Sequence, residues 1–415
     1  MASQIPASLL AAPMSSRIAT PVAGKRPQAP LPVHPFPARM APELALERLP
    51  DDRAHVLDQM MGSGTIPVLA GVGGHVATGF DLDPLALLIA QTWGRPLDPE
   101  SYVAAAEEVA EEAANVGAAD VPVDEPETRA FVDRWFDVVA QSRLAALAAA
   151  IERQPPGLQA ALWCAFSRLI ITKDRGASLA RDVSHSRPHK VRETTDFNPV
   201  SHFVASAKEV ARRHATLGVE RPPAKDLDLG CADARDLPLE DNSVDMVMTS
   251  PPYLVAIDYL RGHRMSLVWM GHTLPELREL RGTVIGSERS RASTDDDHGE
   301  LIARVLGDGA SRRASGVLRR YVFDLAGVME ETVRVLRSRG TATFVVADAT
   351  LFGSPVAVSD IVDNLARQVG LELTERVERE LPADRRYLPP PTGSADTGGL
   401  ARRMRHEVLL GYLAA

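Results

Sequence analysis

Cysteine is nearly absent: Cys164 and Cys231 are the only two in 415 residues. They lie far apart, with no histidine at metal-ligand spacing. That excludes a disulfide framework and a zinc ribbon, and it fits a reducing, cytoplasmic setting. No apolar run approaches the roughly 18–20 residues of a membrane span. Lysine occurs only at Lys25, Lys173, Lys190, Lys208 and Lys225, so arginine supplies most of the 46 basic side chains. The formal net charge of −9 excludes a protein that coats nucleic acid indiscriminately, so any DNA or RNA site must be a local basic patch. Acidic residues are missing from 1–42, which is rich in Ala, Pro and Ser. Its prolines disfavour an amphipathic helix, and 1–30 reads as a flexible leader without a targeting role.

Hydrophobic residues make up 45% and charged residues 24%, enough to build a core and to exclude global disorder. At ~150 residues per domain the length allows two or three domains, or one large α/β domain with insertions. From Ala54 the pattern is α/β. A strand, His55–Asp58, runs into Met61-Gly62-Ser63-Gly64-Thr65. A small-residue helix, Ile66–Ala70, follows, and a second strand, Val76–Phe80, ends in Asp81-Leu82-Asp83-Pro84. Strand, glycine turn, helix, strand and acid form the first half of a nucleotide-binding sheet. Residues 98–220 then read as helices. Phe131, Trp135, Val138 and Val139 mark one face, Phe203, Val204, Ala207, Val210 and Ala211 another, with Gly218 as a stop. The sheet resumes at Leu227–Gly230 and Val244–Met248. Arg281–Gly316 reads as a mobile loop, and a helix bearing Val322, Leu325, Val328, Met329, Val333 and Leu336 stops at Gly340. Strands over Thr341–Ala347, Leu371–Arg376 and Glu407–Tyr412, with a helix over Ser359–Val369, complete the pattern.

The Gly62-Ser63-Gly64 turn lacks both a third glycine, since Pro67 stands there, and the lysine of a P-loop. It is either a plain β–α turn or the passage for a ligand without a diphosphate. Asp81 either accepts a ribose diol or caps the helix before Pro84, and Asp233 either takes an exocyclic amine or caps a turn. Thr249-Ser250-Pro251-Pro252-Tyr253 is the sharpest signal. Two prolines end the strand in a rigid corner. A Ser250 hydroxyl, a Pro251 carbonyl and the Tyr253 ring together suit an amino group on a flat base.

In this order the motifs resemble the S-adenosylmethionine-dependent amino-methyltransferases of DNA, the N4-cytosine and N6-adenine group. Met61–Thr65 is similar to the family's first cofactor motif, Gly79–Pro84 to its ribose-binding strand end, and Asp233-Ala234-Arg235 to its adenine-contacting segment. Ser250, Pro251, Pro252 and Tyr253 match its catalytic tetrapeptide, in the serine form more often associated with N4-cytosine enzymes. His34-Pro35-Phe36-Pro37-Ala38-Arg39 resembles the motif that closes over the methionine moiety. The resemblance covers 31–95 and 225–415. It implies an α/β fold: a Rossmann-like methyltransferase mixed sheet with helices on both faces, a C-terminal β-hairpin, and a helical insertion over 96–224 as the candidate target-recognition region.

The implied cofactor is S-adenosyl-L-methionine, held by His34, Pro37, Asp58, Met60, Gly62, Ser63, Gly64, Thr65, Asp81, Leu82, Asp233 and Ala234. The implied partner is DNA, in a restriction or defence setting. Asp58-Gln59-Met60 departs from the family's Asp-Pro-Phe, placing methionine where an aromatic would pack. For DNA contact the basic stretch Arg168–Arg192 is favoured, especially His185, Arg187, His189 and Lys190, followed by Tyr259, Arg261 and Arg264. Pro188 breaks a helix between His185 and His189, which argues against a metal site. The alternatives are adenine N6 as target, an RNA or protein amide methyltransferase (whose relatives carry Asn or Asp before Pro-Pro), and a cofactor-binding module that no longer transfers methyl groups.

Overall fold

The structure, a computed structural model, describes residues 30–36, 39–116, 119–172, 175–181, 188–218, 226–254, 259–286, 298–306, 312–352, 354–380 and 406–415. Residues 1–29 of the expected leader, together with Pro37, His185 and Arg187, lie outside these residues.

A short helix α1 (Pro42–Arg48) precedes β1 (His55–Asp58), α2 (Thr65–Val72), β2 (Val76–Phe80) and α3 (Pro84–Gly94). The expected helical run then appears as α4 (Pro99–Asn115), α5 (Pro126–Trp135), α6 (Val138–Glu152), α7 (Pro156–Ile170) and α8 (Pro199–Ala215). Acid–proline or Asn-Pro pairs start several of these: Asp83, Asp98, Glu125 and Asn198 each cap the first turn, and the proline behind each has no N–H to strand there. Asp137 caps α6 in the same way. This cap splits the face expected to carry Val138 and Val139 together with Phe131 and Trp135. The aromatics are buried, whereas Val138 is 79% exposed. Between α7 and α8 a small ribbon of β3 (Ala180–Arg181) and β4 (His189–Lys190) is hung on the α5–α6 junction by Leu179 N–H to Trp135 O.

The remaining elements are β5 (Leu227–Gly230), β6 (Val244–Thr249), α9 (Tyr259–Leu267), α10 (Leu274–Thr283), α11 (Gly299–Leu306), α12 (Arg312–Val335), β7 (Leu336–Val346), β8 (Ala349–Leu351), β9 (Ser354–Val356), α13 (Val358–Gln368), β10 (Leu371–Glu380) and β11 (His406–Ala414). Seven strands form one sheet in the order β10-β11-β7-β6-β1-β2-β5. All neighbours are parallel except β11, which runs antiparallel to both β7 and β10. This is the expected Rossmann-like mixed sheet with a C-terminal hairpin. The chain builds outward from β1 to β5, then crosses back to β6 on the other flank of β1. The carboxyl ends of β1 and β6 are therefore the topological switch point, where open α/β sheets bind ligands.

Alternating side chains divide the core in two. Val56, Met246, Met248, Val345 and Leu409 face α1–α10, while Leu57, Val247, Phe344, Val346 and Leu410 face α11–α13. The helices of 98–215 share one continuous core with α2 and α3 rather than forming a lobe of their own. Two expectations change. The helix α12 ends at Val335, and Gly340 lies inside β7, where the β6 register slips from Val244↔Leu336 to Met246↔Thr341. A Cβ on Gly340 would stand 2.8 Å from the Arg337 carbonyl, so the glycine serves this bulge rather than a helix stop. Within Arg281–Gly316, expected to be a loop, α10 ends, α11 forms and α12 begins. Among the described residues no helix is long and apolar enough to cross a membrane.

Candidate active site

Parallel pairing brings the ends of β1, β2, β5, β6 and β7 to one edge of the sheet. The glycine turn leaves β1 and the Ser250–Tyr253 corner leaves β6. These strands are neighbours, about 4.8 Å apart. A hydrogen bond ties the two: Thr249 Oγ1 donates to Asp58 Oδ1 at 2.7 Å, and the same oxygen accepts Met60 N–H at 3.1 Å. Burial pushes the Asp58 carboxyl up to about 7 against these two hydrogen bonds, with the Asp81 charge adding to the rise.

Gly62 and Gly64 take φ of 51° and 84°, in the left-handed region. The turn is held by Asp81, whose Oδ2 accepts Gly62 N–H at 2.8 Å and whose Oδ1 accepts Asp83 N–H at 2.9 Å. Each carboxylate oxygen retains a lone pair for a further donor. Asp81 is pushed up to about 6, first by burial and then by the Asp83 charge. The helix cap expected as the alternative role for Asp81 falls to Asp83, whose Oδ1 accepts Leu85 N–H. Ser63 is 3% exposed, and its hydroxyl has no partner among the described residues. Thr65 is buried at the start of α2, whereas Met60 and Leu82 are half-buried at the same edge.

On the β6 side, Ser250 donates its hydroxyl to Val345 O at 2.9 Å, which leaves its oxygen lone pairs as acceptors. Pro251 is buried. The Pro252 carbonyl is taken by the Tyr321 hydroxyl of α12 at 3.0 Å. The Tyr253 hydroxyl reaches Glu407 Oε1 at 3.4 Å, and Glu407 is itself paired with Arg379 at 2.8 Å. Burial, reinforced by the Glu407 charge, pushes the Tyr253 phenol upward and keeps it neutral.

Asp233 is engaged by Arg235 through its backbone N–H at 3.0 Å and through the guanidinium at 2.9 and 2.6 Å. Burial works to raise its carboxyl, but Arg235 outweighs it and holds Asp233 below the usual range. Ala234 is buried in the core on the α12 face.

The segment before α1 forms a strap over the insertion. Leu31 N–H meets Thr216 Oγ1 at 2.8 Å, Arg213 meets Pro32 O at 3.1 Å, and Arg168 meets Val33 O at 2.9 Å. His34, expected to hold the cofactor, is buried beside Ser167 of α7 at 3.2 Å and anchors the strap. Phe36 is the residue over the turn: a Cβ on Gly62 would lie 3.2 Å from its ring. The ring also stands 5.2 Å from His263 of α9, which pairs with Asp83. The sequence carried Phe36 inside the His34–Arg39 motif. Nothing in the spacing pointed to His263.

The residues expected to meet DNA divide. His189 and Lys190 are exposed on β4, with Lys190 paired to Glu193 at 2.7 Å, and Arg261 is exposed on α9. Arg264 instead lies over the Phe131 ring at 4.9 Å, and Arg168 is a strut of the strap, so both are structural here. Tyr259 starts α9, and its side chain lies outside the described residues.

No protein-family model matches the chain. The chain is 28% identical over 159 residues to the Type II methyltransferase M.AvaI of Nostoc sp. strain PCC 7120, covering 32% of this chain and 32% of that protein. The M.AvaI of Anabaena variabilis matches with the same figures. The chain thus spans about a third of the length of the curated relatives it matches. Among solved structures, a SAM-dependent methyltransferase from Methanosarcina mazei matches at TM-score 0.33 and 9% identity, over 91% of this chain and 99% of that one. A protein from Thermus thermophilus, solved with S-adenosyl-L-methionine, matches at TM-score 0.22 and 17% identity, over 44% of this chain and 53% of that one.

Proposed function

We propose that this chain moves a methyl group from S-adenosyl-L-methionine to the exocyclic amine of a base in DNA, with cytosine N4 favoured over adenine N6. The observation that carries the reading is the Thr249–Asp58 hydrogen bond, which joins the glycine turn to the serine–diproline–tyrosine corner at the sheet's switch point. The similarity to M.AvaI over about a third of each chain points the same way.

The residues at the turn fit the cofactor. The two left-handed glycines leave room for close backbone approach, and the Ser63 hydroxyl is buried without a partner among the described residues. Asp81 keeps lone pairs for a diol, and the buried Asp58 and half-buried Asp81 are carboxyls with raised pKa that a cationic ligand would favour as anions. With Asp233, Met60, Leu82 and Phe36 they would hold it. The cofactor supplies an electrophilic methyl on a sulfonium.

The chain's own residues prepare the amine. An aromatic amine is a poor nucleophile because its lone pair is delocalised into the ring. Ser250 Oγ accepts one N–H and the Pro251 carbonyl the other, which favours a pyramidal nitrogen with a directed lone pair. Tyr321 braces the corner through Pro252 O, and Tyr253 offers the face on which a flipped base stacks. The nitrogen loses its proton after it becomes cationic, so no strong base is required, and positioning supplies the acceleration. His189, Lys190 and Arg261 are candidates for phosphate contact.

The test is incubation of the full chain with labelled S-adenosylmethionine and unmethylated DNA, followed by nucleoside analysis, with RNA as the parallel substrate. N4-methylcytosine is the expected product. N6-methyladenine would correct the target base, and label in RNA alone or in neither polymer would overturn the reading.

A further inference from the structure

We infer that the outer face of α12, together with the tip of the β8–β9 hairpin, is a DNA-backbone-binding surface flanking the tetrapeptide corner. The inference rests on the reading of the chain as a DNA methyltransferase. From Arg312 to Phe323 the helix carries Arg312, Arg313, Arg319 and Arg320 and no acidic residue, in a chain of net charge −9. At about 100° per residue, these four arginines and Phe323 fall within roughly 120° of the helix circumference. The buried residues Val317, Leu318, Tyr321, Val322 and Leu325 occupy the opposite side. Arg312, Arg313 and Phe323 of the stripe are exposed, Phe323 at 47%, and Arg319 and Arg320 are half-buried.

Two further observations place this face beside the site. Tyr321, on the buried side of the same helix, donates to Pro252 O, so α12 packs against the corner while the stripe is carried on its outer side. The hairpin that follows β7 at the same sheet edge carries Phe352, 49% exposed, with φ of 48° and the Arg313 guanidinium 4.6 Å over its ring. A bulky residue in the left-handed region is strained, and such strain marks functional positions. Arg313 stands eight residues before Tyr321, about 12 Å along the helix. That reach suits guanidinium groups pairing with phosphates while a base from the same strand sits at Tyr253. Planar arginines and an exposed ring match the phosphates and exposed bases of a distorted duplex.

The test compares wild-type protein with R312Q/R313Q/R319Q/R320Q and with Phe352→Ala and Phe352→Trp. Binding to a fluorescent DNA duplex of about three helical turns and to an RNA duplex is measured by anisotropy over a salt series. The glutamine variant should bind DNA at least tenfold more weakly, with a salt slope lower by about 2–4, at roughly 0.9 per lost phosphate contact. Its S-adenosylmethionine affinity should stay unchanged. Phe352→Ala should weaken binding with little change of slope, and Phe352→Trp should restore it. Unchanged affinity and slope in the glutamine variant, or tighter binding of the RNA duplex by wild-type protein, overturns the surface. A wild-type chain that methylates DNA while the glutamine variant binds normally leaves the proposed activity standing and removes the surface. A wild-type chain that binds DNA through these arginines but transfers no methyl group does the reverse.

Discussion

A carboxyl group buried at the end of β1 sits poorly in a folded protein unless something meets it. Asp58 receives two hydrogen-bond donors on one oxygen, yet burial still pushes it up to about 7. Its folded pKa lies above the unfolded value of 3.8. The stabilisation is therefore complete below about pH 4 and is lost as pH rises through 7. Asp58→Asn keeps the accepting oxygen. It should flatten the fall in stability between about pH 4 and 7, a fall of up to a few kcal/mol, since each tenfold change in proton affinity corresponds to ~1.4 kcal/mol. Denaturant titrations at each pH check this, and a wild-type curve already flat would contradict it. In the proposed reaction Ser250→Ala removes an acceptor for the amine as it becomes cationic. A hydrogen bond to a charged group is worth ~1.5–3 kcal/mol, so kcat should drop about ten- to a hundredfold. Cofactor affinity by calorimetry should stay near wild type.

The strap belongs to the next scale. Its backbone is pinned by Arg168 and Arg213 from α7 and α8, and its tip, Phe36, lies against Gly62. Phe36→Ala should raise the dissociation constant for S-adenosylmethionine at least tenfold, about 1.4 kcal/mol of lost contact, and should change kcat less. Equal affinity would assign the ring to packing alone. The elements legible in the sequence are those with strong local causes. The glycine turn, the acid after β2 and the double proline after β6 each impose a backbone that few other residues allow. The fourth strand of the sheet, β6, is legible from its largely apolar run, Val244–Thr249, and β5 from its alternation of Leu227 and Leu229 with Asp228. What escaped depends on distant partners. Gly340 looks like a helix stop until β6 is beside it, and the β8–β9 hairpin is too short to show a period. His34 looks like a ligand until Ser167 occupies it. Arg264 reads as a phosphate contact in the sequence and is absorbed by Phe131 in the fold.

For the whole molecule, the helical insertion and the sheet share one core, reaching from Val56 and Leu229 to Phe136, Phe166 and Phe203. Such a core leaves no boundary at which one part could melt first. Thermal unfolding followed by calorimetry should show a single transition, and excision of 98–215 should leave an aggregating sheet. Two separate transitions would mean that the helical layer is an independent unit.

The Thr249–Asp58 bridge carries a last consequence, of a thermodynamic kind. If one ligand settles against Asp58 and the other against the corner that begins at Thr249, the two occupancies are linked, and each must alter the affinity of the other by the same factor. Thr249 is fully buried, so Thr249→Val preserves its shape while cutting the link. In that variant DNA should bind with an affinity indifferent to S-adenosylmethionine. The native chain should show reciprocal heterotropic cooperativity, measurable from either side of the cycle.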